Sequence, residues 1–164
     1  MQTEIKDTQR AFLIEWIIDV HRKFRMAPET LYVAVFMVDT FLSRQKVTSS
    51  QLHKIGVTVL LVSTKYEEIY PPNIKDLLVV SENKFKKEEI IAMEKEILAK
   101  LNYNVTTPSH YRFLQRFSRF STVTQDRQVF FYAQYLLEIS LLDASFLRFL
   151  PSQLAAASLI LSSK

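Results

Sequence analysis

The sequence predicts an all-α protein made of two helical domains of one kind, on three observations. There is one Gly in 164 residues, against an average of roughly 7%. Hairpins and β-sandwiches need glycine at turns with positive φ, so its scarcity favours helices joined by short connections. Apolar residues recur at helical spacing between prolines. A stretch in the first half, LHKIGVTVLLVSTK (Leu52 to Lys65), reappears near the end as PSQLAAASLILSSK (Pro151 to Lys164), at an offset of 99 residues.

The elements follow in order. Lys6 to Phe24 is helical in pattern, with Leu13, Ile17, Val20 and Phe24 on one face. Phe12 and Trp16 on one side, with Ile14 and Ile18 on the other, widen its apolar arc to about 240°, beyond an ordinary core stripe. The helix is therefore either sandwiched between neighbours or carries an exposed apolar patch. Pro28 suits the first turn of a second helix reaching Ser43, with Leu31, Val35, Val38 and Leu42 inward. Ser49 or Ser50 can cap a third helix, Ser50 to Glu68. Its VTVLLV run has β-branched, strand-like composition, but its length argues helix. Ile55 to Thr64 holds ten residues without a charge, so this helix should be surrounded by its domain. It ends abruptly in Lys65, Tyr66, Glu67, Glu68 and Tyr70 before Pro71-Pro72. A short helix follows Pro72 to Val79. A long one covers Lys86 to Leu101, with Ile90, Ile91, Ile97, Leu98 and Leu101 on one face.

YNVTTP, ending at Pro108, reads as a linker between domains 1–107 and 108–164. In the internal echo, Gly56 meets Ala155, Thr58 meets Ala157 and Ser63 meets Ser162. Leu31, Val38, Asp39 and Leu42 meet Phe130, Leu137, Glu138 and Leu141 at the same offset. The Ala-rich copy is plainly helical. The first repeat runs about 40 residues past Lys65, whereas the second stops at Lys164. The second domain is therefore expected to be incomplete, with a helix such as Leu154–Leu161 poorly covered.

Composition narrows the function classes. With no cysteine there are no disulfides and no Cys-based zinc site, which fits a reducing compartment. The net charge of +4 is weak support for nucleic acid, and 15 basic against 14 acidic residues up to Pro108 leave +1 there. No uncharged run approaches the roughly 20 residues of a membrane span. His21, His53 and His110 lack a second ligand at helical spacing, so no metal site is expected. No Gly-rich phosphate loop or nucleophile motif exists. Arg112, Arg116 and Arg119 read as a solvated helix face rather than a phosphate contact. Thr107-Pro108 reads as the approach to a helix rather than a phosphorylation site.

Two charge placements stand out. Glu94 falls within the apolar stripe of the Lys86–Leu101 helix, between Ile90 and Leu98. A buried carboxylate needs a cationic partner or a groove that another protein fills. Arg10, beside Phe12, Leu13 and Trp16, could clamp Asp39 as a structural ion pair. From spacing alone, a surface pair of little consequence is favoured.

QRAFLIEWIIDVH resembles the opening of the cyclin box, usually MRAILVDWLVEV. ETLYVAVFMVDTFLS, TKYEEIYPP and AMEKEILAKLNYNVTTP continue that box in order. LLEISLLD and LPSQLAAASLIL look like the start of a second box of a mitotic A- or B-type cyclin, with B-type favoured by KYEE and LPSQ. The resemblance covers essentially the whole chain. It implies tandem five-helix cyclin boxes, the second incomplete, in a non-catalytic subunit that activates a cyclin-dependent kinase at G2/M, without cofactor, in nucleus and cytoplasm. It also implies a kinase-binding surface of Lys65 paired with Glu94, with Tyr66, Glu68, Lys87, Leu98, Tyr103 and Val105. A docking groove for Arg-x-Leu substrate or inhibitor peptides would map to Phe12, Leu13, Trp16, Asp19 and His53, with Asp19 meeting the peptide's arginine.

Several positions depart from the family pattern. Gln9 replaces methionine, Asp19 is shorter than the usual glutamate, His53 stands where glutamine is common, and Lys54 replaces an apolar residue. They bear on the groove's peptide preference more than on kinase binding. The family's N-terminal helix is absent or reduced to Met1–Asp7. The alternative is a cyclin-fold transcription factor of the TFIIB type, which contacts DNA and would need a continuous basic surface. An enzyme is a distant third.

Overall fold

A computed structural model describes residues 4–120 and 127–164, and every described element is helical. Contacts divide the chain into two units, 1–107 and 108–164. Residues 1–3 of the Met1–Asp7 segment lie outside the described residues.

The first unit has five helices, α1 (Asp7–Lys23), α2 (Pro28–Arg44), α3 (Ser49–Glu67), α4 (Ile74–Val80) and α5 (Lys87–Lys100). The VTVLLV run is helical, as its length predicted. α3 is the hub, packed against each of the other four. Every residue from Ile55 to Thr64 is buried. The polar residues in that run satisfy themselves within the helix: Thr58, Ser63 and Thr64 donate hydroxyls to the carbonyls of Lys54, Leu60 and Leu61. Such back-bonding lets a hydroxyl sit in an apolar core without a desolvation penalty.

Gly56 is buried where α1 crosses α3. A Cβ there would lie 2.6 Å from Leu13 Cδ1 and 3.2 Å from the Trp16 ring. The chain's only glycine thus serves a close helix crossing rather than a turn. The αL positions fall instead to Arg25, Glu82, Asn83, Asn102 and Tyr103. At three helix ends an amide bonds the carbonyl five residues back: Met26 to His21, Asn83 to Leu78 and Tyr103 to Leu98. These are Schellman-type caps, which usually employ glycine.

Boundaries differ from expectation by about one residue. Thr48, not Ser49 or Ser50, is the N-cap of α3, and its backbone N–H donates to Gln51 Oε1 at 3.0 Å.

The second unit comprises α6 (His110–Phe120), α7 (Arg127–Ser140), a 3-10 turn (Ala144–Arg148) and α8 (Pro151–Ser162). α8, the echo of α3, packs on α6 and α7. Its small residues Ala155 and Ser158 are buried, while Ile160 and Leu161 are exposed. α6 begins at His110, with Ser109 Oγ accepting from the Arg112 amide at 3.2 Å. Arg112, Arg116 and Arg119 are all exposed, as expected of a solvated face.

Candidate functional site

The charged end of α3 meets the middle of α5. Lys65 Nζ lies 2.8 Å from Glu94 Oε1. The lysine side chain is 51% exposed and the glutamate only 16%. This geometry refines the sequence reading of Glu94. The buried stripe of α5 is Ile90, Met93, Ile97 and Leu101. Glu94 sits on the flank beside it, level with the half-buried Ile91 and Leu98. Its head therefore reaches the surface while its stem covers apolar area.

The stretch that follows Lys65, and the segment after α5, carry exposed apolar residues. Tyr66 is half exposed, and its hydroxyl lies 2.7 Å from Thr106 Oγ1. Ile69 and Tyr70 are almost fully exposed, and Tyr103 is 73% exposed. Lys87, at the first position of α5, is exposed, whereas Leu98 and Val105 are half-buried. Lys65, Tyr66, Glu94 and Leu98 thus share the region where α3 ends over α5. Glu68 is engaged elsewhere. Its Oε1 accepts the backbone N–H of Ala27 at 2.7 Å and the Thr30 hydroxyl at 2.5 Å, so it faces the start of α2.

The groove residues lie near the start of α3. Phe12 is 71% exposed and Leu13 is buried. Trp16 and His53 are half-buried, and Asp19 is exposed. The wide apolar arc of α1 thus resolves into a buried face plus an exposed Phe12 and a partly exposed Trp16. The His53 ring meets Trp16 edge-on at 4.7 Å between centroids and Phe85 at 5.6 Å. Its buried Nε2 has no hydrogen-bond partner among the described residues. Burial pushes the imidazole below its ordinary pKa; Lys84 adds to the effect and Glu82 opposes it. A neutral ring is the form that packs against two aromatic edges.

Arg10 and Asp39 form the structural ion pair expected of them, not the surface pair that spacing alone favours. Arg10 Nε lies 2.6 Å from Asp39 Oδ1 and a terminal guanidinium nitrogen 2.8 Å from Oδ2. The side chains are only 7% and 18% exposed. This is a bidentate clamp between α1 and α2. Spacing within one helix carries no information about such a pair, because its partners lie 29 residues apart.

The cyclin N-terminal domain model matches residues 1–106, and the cyclin C-terminal domain model matches residues 108–164. The chain belongs to the cyclin family. It is 40% identical to Cyclin-B1-3 of Oryza sativa subsp. japonica, covering 96% of this chain and 33% of that protein. It is 39% identical to the G2/mitotic-specific cyclin-B of Hydra viridissima, covering 99% and 41%. A-type plant cyclins match at slightly lower identity. The chain therefore spans about a third to two fifths of the length of these relatives. A viral cyclin of herpesvirus saimiri shares the fold, with a TM-score of 0.88 at 22% identity over 98% of this chain and 71% of that one.

One cluster in this cyclin box escaped the sequence reading. His21 Nε2 donates to the Ala27 carbonyl at 2.9 Å, while the Ala27 amide donates to Glu68. The end of α1, the start of α2 and the end of α3 are thereby joined through one alanine. An alanine offers no side-chain signal for such a role. The only available hint was a glutamate placed at a helix C-terminus, where it opposes the helix dipole.

Proposed function

We propose that this chain carries the box region of a mitotic, B-type cyclin, a non-catalytic subunit that binds and activates a cyclin-dependent kinase. The observation that carries the reading is the Lys65–Glu94 pair held at the surface beside the exposed Tyr66, with the half-buried Leu98 one turn along α5. A rigid charge pair beside an aromatic and an apolar side chain has the make-up of an interface centre. Lys87, Tyr103 and Val105 belong to the same reading.

Lys65 offers N–H donors, and Glu94 offers a carboxylate that orients them, so a backbone carbonyl on a kinase helix is a suitable acceptor. Docking there favours the inward position of that helix. The kinase's own Lys–Glu pair can then form and its activation loop can open. The chemistry belongs to the kinase. The cyclin contributes differential affinity for the active conformation.

The second part of the reading is a substrate-docking groove at Phe12, Leu13, Trp16, Asp19 and His53. Leu13 forms its buried floor, Phe12 and Trp16 supply exposed apolar surface, and Asp19 offers a carboxylate for the arginine of an Arg-x-Leu peptide. A G2/M role and residence in nucleus and cytoplasm follow from the same reading.

Co-purification with a purified cyclin-dependent kinase, followed by histone phosphorylation, tests it. The expected result is a stable complex and phosphorylation that requires this chain. Failure to bind or activate any such kinase overturns the reading.

A further inference from the structure

Glu68 is the C-cap of α3, with φ −88° and ψ 139°. A carboxylate there faces the negative end of its own helix dipole, an unfavourable place for it. The side chain turns instead toward the beginning of α2, where the dipole is positive. α2 needs outside help at that end. Its N-cap is Ala27, which has no side-chain acceptor, and no side-chain cap bond is made. Glu68 Oε1 takes the Ala27 N–H and the hydroxyl of Thr30. Thr30 is fully buried.

We propose that Glu68 is a positioning residue. It fixes the last turn of α3, and with it Lys65 and Tyr66, by anchoring that turn to the start of α2, and it does not itself touch the kinase. This rests on the docking reading of Lys65 and Glu94. Lys65 lies three residues before Glu68, within one helical turn of about 3.6 residues. The turn is held by Glu68 to α2, by Lys65 to Glu94 of α5 and by the Tyr66 hydroxyl to Thr106. The last two ties are exposed, and a partner that draws Lys65 and Tyr66 into new contacts weakens them. The Glu68 tie is the part-buried one that then keeps the turn in place. Pro71 and Pro72 cannot prolong the helix to compensate, because they lack amide donors, and helix ends open at the lowest cost.

The test measures affinity for a purified cyclin-dependent kinase with the wild-type chain, Lys65→Ala, Glu68→Gln, Glu68→Ala, Thr30→Val and the Glu68→Ala/Thr30→Val pair. Amide hydrogen exchange along α3 is the second readout. Lys65→Ala should weaken binding, which upholds the docking reading independently. Glu68→Ala should weaken it about tenfold or more. Glu68→Gln keeps a carbonyl acceptor and should recover most of the loss. Thr30→Val cannot reach a partner, yet should weaken binding several-fold, and the pair should be no worse than Glu68→Ala alone. Exchange should accelerate over residues 64–70 in Glu68→Ala and stay unchanged over 49–57.

Two results overturn the proposal. Thr30→Val binding like wild type while Glu68→Ala fails makes Glu68 a direct contact. Exchange that rises equally along the whole of α3 makes its role general stability. If wild type binds no kinase, the docking reading falls, and the exchange pattern alone decides whether Glu68 holds the turn.

Discussion

Of the three ion pairs that tie neighbouring helices among the described residues of the first unit, Arg10–Asp39 and Lys65–Glu94 differ most in how they meet water. Arg10 and Asp39 are nearly buried and joined by two short contacts. Lys65 and Glu94 are joined by one contact, with the lysine half exposed. The first pair has exchanged water for protein almost completely, so either partner left alone would be a buried charge. The second keeps a solvated cation, half exposed to water. A pair that only holds helices together has no need of exposure. A pair proposed to serve a partner as well does.

Breaking the buried pair should have the largest effect. Arg10→Ala or Asp39→Ala is expected to cost about 3–5 kcal/mol of stability, because each strands the other's charge. Urea denaturation of the first unit's helical signal measures it. Replacing both residues together should cost less than the sum of the two changes.

A second effect, in the unit that holds neither pair, must be separated before acid sensitivity is assigned to either. Burial pushes His110 down to about 4. Its unfolded form takes up a proton near pH 6.5, so the unfolded state binds more protons between the two values. Stability is therefore complete above pH 6.5 and falls by up to about 3 kcal/mol as pH drops toward 4. His110→Gln should remove that slope in an acid-unfolding series.

A third change sharpens what the buried pair does. Arg10 fixes α1 against α2, and Gly56 lets α1 approach α3. Gly56→Ala gains about 1 kcal/mol of helix propensity but forces Leu13 and Trp16 aside, at about 1–3 kcal/mol. A net loss near 1 kcal/mol is expected, with a shift in the fluorescence of Trp16, the only tryptophan.

The exposed pair should contribute least to the isolated chain. Glu94→Ala, which leaves only the half-exposed lysine, should change stability by no more than about 1 kcal/mol, whereas Lys65→Ala strands a carboxylate that is only 16% exposed and should cost more.

These contrasts also mark what was legible in the sequence. The helical class, the five helices of the first unit and the burial of Ile55–Thr64 could be read directly, because period and charge are local properties. Glu94 was visible as an anomaly, but its place was misjudged. Periodicity puts Ile91 and Leu98 on the apolar face, whereas the buried stripe runs through Met93, a one-residue rotation that helical periodicity resolves poorly. Arg10 and Asp39 can be named from the sequence as a structural pair, but its depth cannot, because burial depends on how two helices pack. Sequence places Glu68 beside Lys65 and Tyr66 on the kinase-binding surface, yet its bonds run 38 and 41 residues back along the chain. Its orientation depends on the C-cap conformation, which composition does not encode.

The most direct test of the account is the affinity of Lys65→Ala and Glu94→Ala for a purified cyclin-dependent kinase, measured beside their unfolding free energies. Binding should fall by about a hundredfold in both variants, or about 2.7 kcal/mol, while the stability of Glu94→Ala, which leaves only the exposed lysine, moves by no more than about 1 kcal/mol. Wild-type affinity in both variants, or a loss of binding that merely tracks unfolding, would contradict it.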